Sequence, residues 1–224
     1  WVLSTVILPK VVAASAEQQK PLLGVMQFNE QMHEERDKGL NGHDPEDARS
    51  KRFERKILAK YGVDDPSKLP INYDGLLMQE DEYYGNAVWD KHFGLLNRDL
   101  RQQAQYTAWS SFVNPFQALR NLSLSLANAD LYQHLHFQKA AEMYRRTLIR
   151  TLNEKMAYGG SKTGDWDWTV PEAWFSELED FNYQAPAMAW SLQQRRLELV
   201  AIAAWALLLI LLLWMPWWKA ERLL

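Results

Sequence analysis

His134 and His136, in the run YQHLHFQ, are by type well suited to hold a metal ion, because imidazole is a common ligand. Their spacing works against a shared ion. Two residues apart on a helix, they point roughly 200° away from each other. A site would have to recruit His33, His43 or His92, and nothing local has HExxH-like spacing, so hydrogen-bonded histidines within a helical domain are the expectation. Glu142 stands three residues before Arg145 and four before Arg146, positions from which it can pair on a helix surface for about 0.2–0.5 kcal/mol per pair. The run GGSKT at 159–163 has the glycines and the Lys-Thr step of a phosphate cradle. Ser161 stands where GxxxxGK[ST] needs glycine, however, and no strand precedes the run, so it reads as a surface loop. No Ser/His/Asp order or paired-carboxylate motif stands out. No catalytic, cofactor-binding or metal-ligating residue is assigned, and no cofactor is expected.

The elements that would position these side chains are helices. Between the apolar ends of the chain the dominant period is helical and alternating β-branched runs are scarce, so the polar part should be nearly all α. Asp44-Pro45-Glu46-Asp47 offers an N-cap acid and a proline at the first helical position, predicting a helix to about Tyr61 that Gly62 stops. Asn114-Pro115 repeats the device, and Asp130-Leu131-Tyr132-Gln133 has the spacing of a capping box. Two helices should be long. One, over about 80–112, carries the stripe Trp89, Phe93, Leu96, Leu100, Ala104, Ala108 and Phe112. The other, over about 130–156, carries Phe137, Ala141, Tyr144, Leu148, Leu152 and Met156. Joined through a shorter helix over 115–127, the two would pair antiparallel. LPINYDG at 69–75 reads as an extended segment closed by a turn in which Gly75 supplies positive φ. YGGSKTGDWDWT reads as a loop or short hairpin. Pro171 should open a short helix, and 181–186 should be extended.

Residues 199–218, LVAIAAWALLLILLLWMPWW, are uncharged and almost wholly apolar. At about 1.5 Å per residue such a helix is about 30 Å long, the hydrocarbon thickness of a bilayer. Trp214, Trp217 and Trp218 followed by Lys219 and Arg222 make an aromatic belt with a basic cap, and Trp190 marks the other interface. The basic residues tie across the span, Arg195 and Arg196 against Lys219 and Arg222, and leave orientation open. The whole chain of 224 residues has a net charge of −3 and no cysteine. Arg195, Arg196, Lys219 and Arg222 against Glu198 and Glu221 make residues 195–224 net +2, so residues 1–194 carry −5. A mildly acidic polar part argues against a nucleic-acid surface. Without cysteine there is neither a disulfide framework nor a thiolate metal site. The opening WVLSTVILP, apolar but too short to span alone, reads as the tail of a further transmembrane helix.

The segment NPFQALRNLSLSLANADLYQHLHFQKAAEMYRR at 114–146 resembles the signature of bacterial ABC-2-type transporter permease subunits with a large extracytoplasmic helical domain, the domain of unknown function 3526 family. The supporting pieces are WVLSTVILPKVVAASA, GHDPEDAR, LPINYDG and FNYQAPAMAWSL. The most specific part is 123–145, with Asp130, His134, His136-Phe137 and Glu142-x-x-Arg145. Ala129 stands where related chains often have glycine before the acid. The resemblance implies a polar network of Asp130, His134, His136, Glu142 and Arg145 without catalytic duty.

It also implies a mostly α fold, an elongated extracytoplasmic domain with two long antiparallel helices flanked by transmembrane helices. The expected division is the end of a transmembrane helix at 1–16, the extracytoplasmic helical domain at 17–186, a lead-in segment and C-terminal transmembrane helix at 187–218, and a cytoplasmic tail at 219–224. Such a permease sits multi-pass in the bacterial inner membrane with its domain on the periplasmic side. Its expected partners are membrane lipid, a separate cytoplasmic ABC ATPase subunit, a second permease subunit in a homodimer or heterodimer, and an envelope protein, with no nucleic acid. Two other readings stand beside it: a membrane-anchored helical scaffold or binding module without a transport role, and a membrane-tethered metal-dependent hydrolase.

Overall fold

The computed structural model describes residues 24–40, 44 and 47–220, and among these it is mostly helical and contains no strand. The expectations for 1–16, for His43, for a Pro45 cap and for the end of the tail at 221–224 lie outside the described residues, as do the side chains of the belt beyond Trp214. The chain divides into two compact units.

The first unit comprises 24–95 and 140–182. Helix α1 is Val25–Arg36 and α2 is Ala48–Tyr61. The cap of α2 falls three residues later than the sequence predicts. Asp47, not Asp44, accepts the Ser50 N–H (2.8 Å), while the Asp44 carbonyl takes the Asp47 N–H in the preceding turn (3.0 Å). Gly62, left-handed at φ 68°, ends α2 as expected. A 3₁₀ turn, Pro66–Lys68, leads to the long helix α3, Tyr73–Ser110. The second long helix, α5, is Leu131–Tyr158, and α6 is the single turn Glu172–Phe175, opened by Pro171.

Helix α3 therefore begins about seven residues before the sequence reading, and its start is made by distant residues. Asn72, fully buried, accepts the Asp74 N–H (2.8 Å) and donates to Ser161 Oγ (2.9 Å) and the Lys162 carbonyl (2.8 Å). Thr163 Oγ1 accepts the Tyr73 N–H (3.0 Å), and Asp74 accepts the Gly164 N–H (2.8 Å). The GGSKTG run is thus the cap of α3. The reading of Gly75 as a positive-φ turn is corrected: Gly75 lies inside α3, and a Cβ there would stand 2.6 Å from the Ala157 backbone nitrogen. Its smallness serves close approach of two helices. Within this unit α3 and α5 do run antiparallel. Asn153 bonds Gln79 (3.2 Å), Arg145 bonds Glu82 (3.1 Å) and Asn86 (2.6 Å), and Arg146 bonds Asp90 (2.7 Å). Ile57, Leu69 and Tyr73 form the local core with Phe53 and Ile71 against them. Helix α1 is tied on by Arg36 to Asp81 (2.7 Å) and by Glu35 to Lys91 and His92 (2.6 and 2.8 Å).

The second unit comprises 96–139 and 183–220 among the described residues. It holds the end of α3, the start of α5, and three further helices: α4 Pro115–Leu126, α7 Met188–Gln194 and α8 Arg196–Ala220. Asn114 caps α4 by accepting the Phe116 N–H (3.2 Å) with Pro115 in the first turn, as predicted. Asn128, at φ 55°, turns the chain after α4, so Ala129 needs no glycine-like backbone. Of the capping box at 130–133 only half forms: Asp130 accepts the Gln133 N–H (2.9 Å), but the Gln133 side chain donates instead to Ser191 Oγ (2.7 Å). Among the described residues one helix, α8, is long and apolar enough to cross a membrane, over Arg196–Trp214. Only 11 % of that window is buried, whereas a soluble core helix would be mostly buried.

Candidate functional site

Three ionisable side chains meet where α7 gives way to α8. Asp130, having spent one oxygen on the cap of α5, accepts with the other from Arg195 Nε (3.0 Å) and Nη2 (2.7 Å). Arg195 Nη1 donates to Glu198 Oε1 (3.0 Å), and Asn121 of α4 donates to the same oxygen (3.1 Å). Gln117 in turn donates to Asn121 Oδ1 (2.9 Å). The guanidinium lies over the Tyr132 ring at 4.9 Å, and burial pushes that phenol up, against the pull of Arg195, so a neutral ring faces the cation. The Asp130, Arg195 and Glu198 side chains are 1 %, 7 % and 1 % exposed, which makes this a desolvated acid–base–acid cluster. Such a group is costly to break, because losing one partner strands a buried charge.

Beside Asp130 opens a cavity of about 370 Å³ bounded by Gln133, His134, Phe137 and Tyr183. His134 is exposed on it. His136 shares a hydrogen bond with the Tyr183 hydroxyl (3.0 Å) and stands edge-on to Trp190 (5.5 Å between centroids), so Trp190 is occupied within the fold. Phe137 meets Tyr183 edge-to-face at 5.1 Å. The polar cluster and an aromatic wall thus share one small opening.

The five residues of the expected network fall into two sets. Asp130, His134 and His136 belong to the unit just described. Glu142 and Arg145 belong to the other, where Glu142 accepts from Arg145 Nε (2.9 Å) and Nη2 (3.0 Å) and from Arg146 Nε (2.8 Å). Burial pushes the Glu142 carboxyl up, but the hydrogen bonds from Arg145 and Arg146 outweigh it and hold the group below the usual glutamate value. Glu82 and Asn86 complete the partners of Arg145, which makes this set a clamp between α3 and α5. Sequence reasoning missed Arg195, Glu198 and Asn121. Their signal was present: an i,i+3 ion pair at the foot of an apolar helix, and an i,i+4 Gln-Asn pair inside a leucine-rich one. Among the described residues no three His, Asp or Glu side chains gather as a metal site.

Residues 25–187 match the family described as Domain of unknown function (DUF3526), and the chain belongs to that family. Neither a curated protein nor a solved structure matches it.

Proposed function

We propose that the chain is part of a membrane-spanning permease subunit of an ABC-2-type transporter, energised by a separate cytoplasmic ATPase. In this reading its helical part faces the periplasm of a bacterial inner membrane, and further spans lie outside the described residues. The observation that carries the reading is the Asp130–Arg195–Glu198 cluster. It joins the start of α5, the end of α7 and the first turn of α8 through buried bonds, a connection through which a shift of the apolar helix would reach the residues lining the His134 cavity. Coupling of that kind is what a transporter requires and what a passive anchor does not. The DUF3526 membership and the span are compatible with it.

The test is co-purification of the full-length protein from detergent-solubilised membranes. Recovery of an ATP-binding subunit whose ATPase rate changes with Arg195→Met supports the permease. Recovery without such a subunit, at unchanged extraction by detergent and not by alkaline carbonate, leaves the scaffold reading in its place.

A further inference from the structure

Helix α4 is inside out. Its buried side carries Asn114, Ala118, Asn121 and Ser125, while Phe116, Leu119 and Leu126 stand outward at 66 %, 57 % and 52 % exposure. A helix on a water-facing surface has the opposite arrangement, with apolar residues turned to the core. Small and polar residues toward a neighbouring helix with apolar ones outward is the pattern of helices in lipid.

The neighbour is α8, and the contacts fix depth along it. Asn121 bonds Glu198, and the Ser111 carbonyl accepts the Trp205 Nε1–H (3.3 Å). Those two points on α8 are seven residues apart, about 10 Å along the axis, and both lie in the apolar window Arg196–Trp214. The turn at 110–114 therefore sits deeper beside α8 than the middle of α4 does. At that turn the exposed side chains are again apolar, Trp109 and Val113 among them. Its N–H groups are satisfied within the turn: those of Phe112, Val113 and Asn114 bond the carbonyls of Trp109, Ser110 and Ser110. Irregular backbone at membrane depth requires its polar groups to be met by protein, as the Ser111 carbonyl is by Trp205. From 109 to 129 the sole charge is Arg120, which stands exposed beside the shallower end of the contact, where its long stem can reach the headgroups.

We propose that the turn at 110–114 and the first half of α4 form a re-entrant element seated in the acyl chains of the leaflet that α8 enters, with the end of α4 rising past Arg120 toward the headgroups. Its occupant is lipid, because the outward face is continuous with the exposed apolar surface of α8. The proposal rests on α8 crossing the bilayer.

These 224 residues hold no cysteine, so a single cysteine introduced here, with any elsewhere in the full-length protein replaced, carries the only spin label. Labels at Phe116, Leu119, Leu126, Leu209 and Tyr83 would be read in phosphatidylcholine–phosphatidylglycerol vesicles by collision with oxygen and with a water-soluble nickel chelate. Leu209 reports the span and Tyr83 a water-exposed surface. The expected result is an oxygen-to-nickel ratio at Phe116 and Leu119 severalfold above that at Tyr83 and close to that at Leu209, with Leu126 between Tyr83 and Leu209. A water-like ratio at Leu209 overturns the span itself. A lipid-like Leu209 with nickel-accessible Phe116 and Leu119 overturns the re-entrant element alone, as does protection of both from either reagent, which would mean that another protein covers the face.

Discussion

Arg195 places both Nε and Nη2 on a single oxygen of Asp130, a residue 65 positions earlier in the chain, and keeps Nη1 for Glu198. One guanidinium thereby closes the start of α5 against the foot of α8, away from water.

Removing it should be severe. Arg195→Met strands two buried carboxylates, and the expected loss is about 3–5 kcal/mol. Adding Asp130→Asn, which keeps an oxygen for the Gln133 N–H, should recover part of that loss. Thermal unfolding of the detergent-solubilised chain with the single and double variants checks this, and a double variant no better than the single one would refute it.

Two glycines of α3 should respond in opposite directions to alanine. Gly94 faces open space, so Gly94→Ala should stabilise by up to about 1 kcal/mol through helix propensity. Gly75 has the Ala157 nitrogen and the Asn153 carbonyl within 3.0 Å of where a Cβ would stand, so Gly75→Ala forces two backbones apart at a cost of about 1–3 kcal/mol. Denaturation midpoints of the two variants decide it.

Asn72→Ala should fray the beginning of α3. It deletes the acceptor for the Asp74 N–H and the donor to Ser161 and Lys162, all in a buried place, at a cost of about 1–3 kcal/mol. Hydrogen exchange should quicken at 73–76 and at 161–164 together, since each segment holds the other.

Acid should loosen the clamp between α3 and α5. Burial raises Glu142, but its Arg145 and Arg146 hydrogen bonds lower it further, and the hydrogen bond from Arg146 holds Asp90 low. Carboxyls lowered in the folded state stabilise fully above their unfolded values, about 4, and that contribution is lost as pH falls through the lower folded values. Stability of the unit should therefore decline below about pH 4, and Glu142→Gln should flatten the decline. An equal acid limb in the variant would exclude Glu142 as its source.

Most helices were legible because caps and periodicity are local: Asn114-Pro115, Gly62 and Pro171 all act where they stand, whereas α1, which starts after Gly24 without a side-chain cap, went unread. The start of α3 was not legible, because its local cap, Asn72, is held in place by residues about 90 positions away. Gly75 was misread for the same reason, since a glycine needed for close approach looks in sequence like one needed for a turn. At the site, Glu142 with Arg145 was readable from i,i+3 spacing. Arg195 with Glu198 has the same i,i+3 spacing at the foot of an apolar run, but its reach to Asp130, 65 positions away, leaves no local mark.

Because Asn72 and Tyr73 are closed by Ser161, Lys162 and Thr163, the first turn of the longest helix cannot be sealed while the ribosome is still making residue 150. The nascent polypeptide must hold that turn open until the glycine-rich loop has cleared the exit tunnel. Chains cut short before 161 should accordingly leave residues 72–75 unprotected and be the species that quality-control proteases remove first.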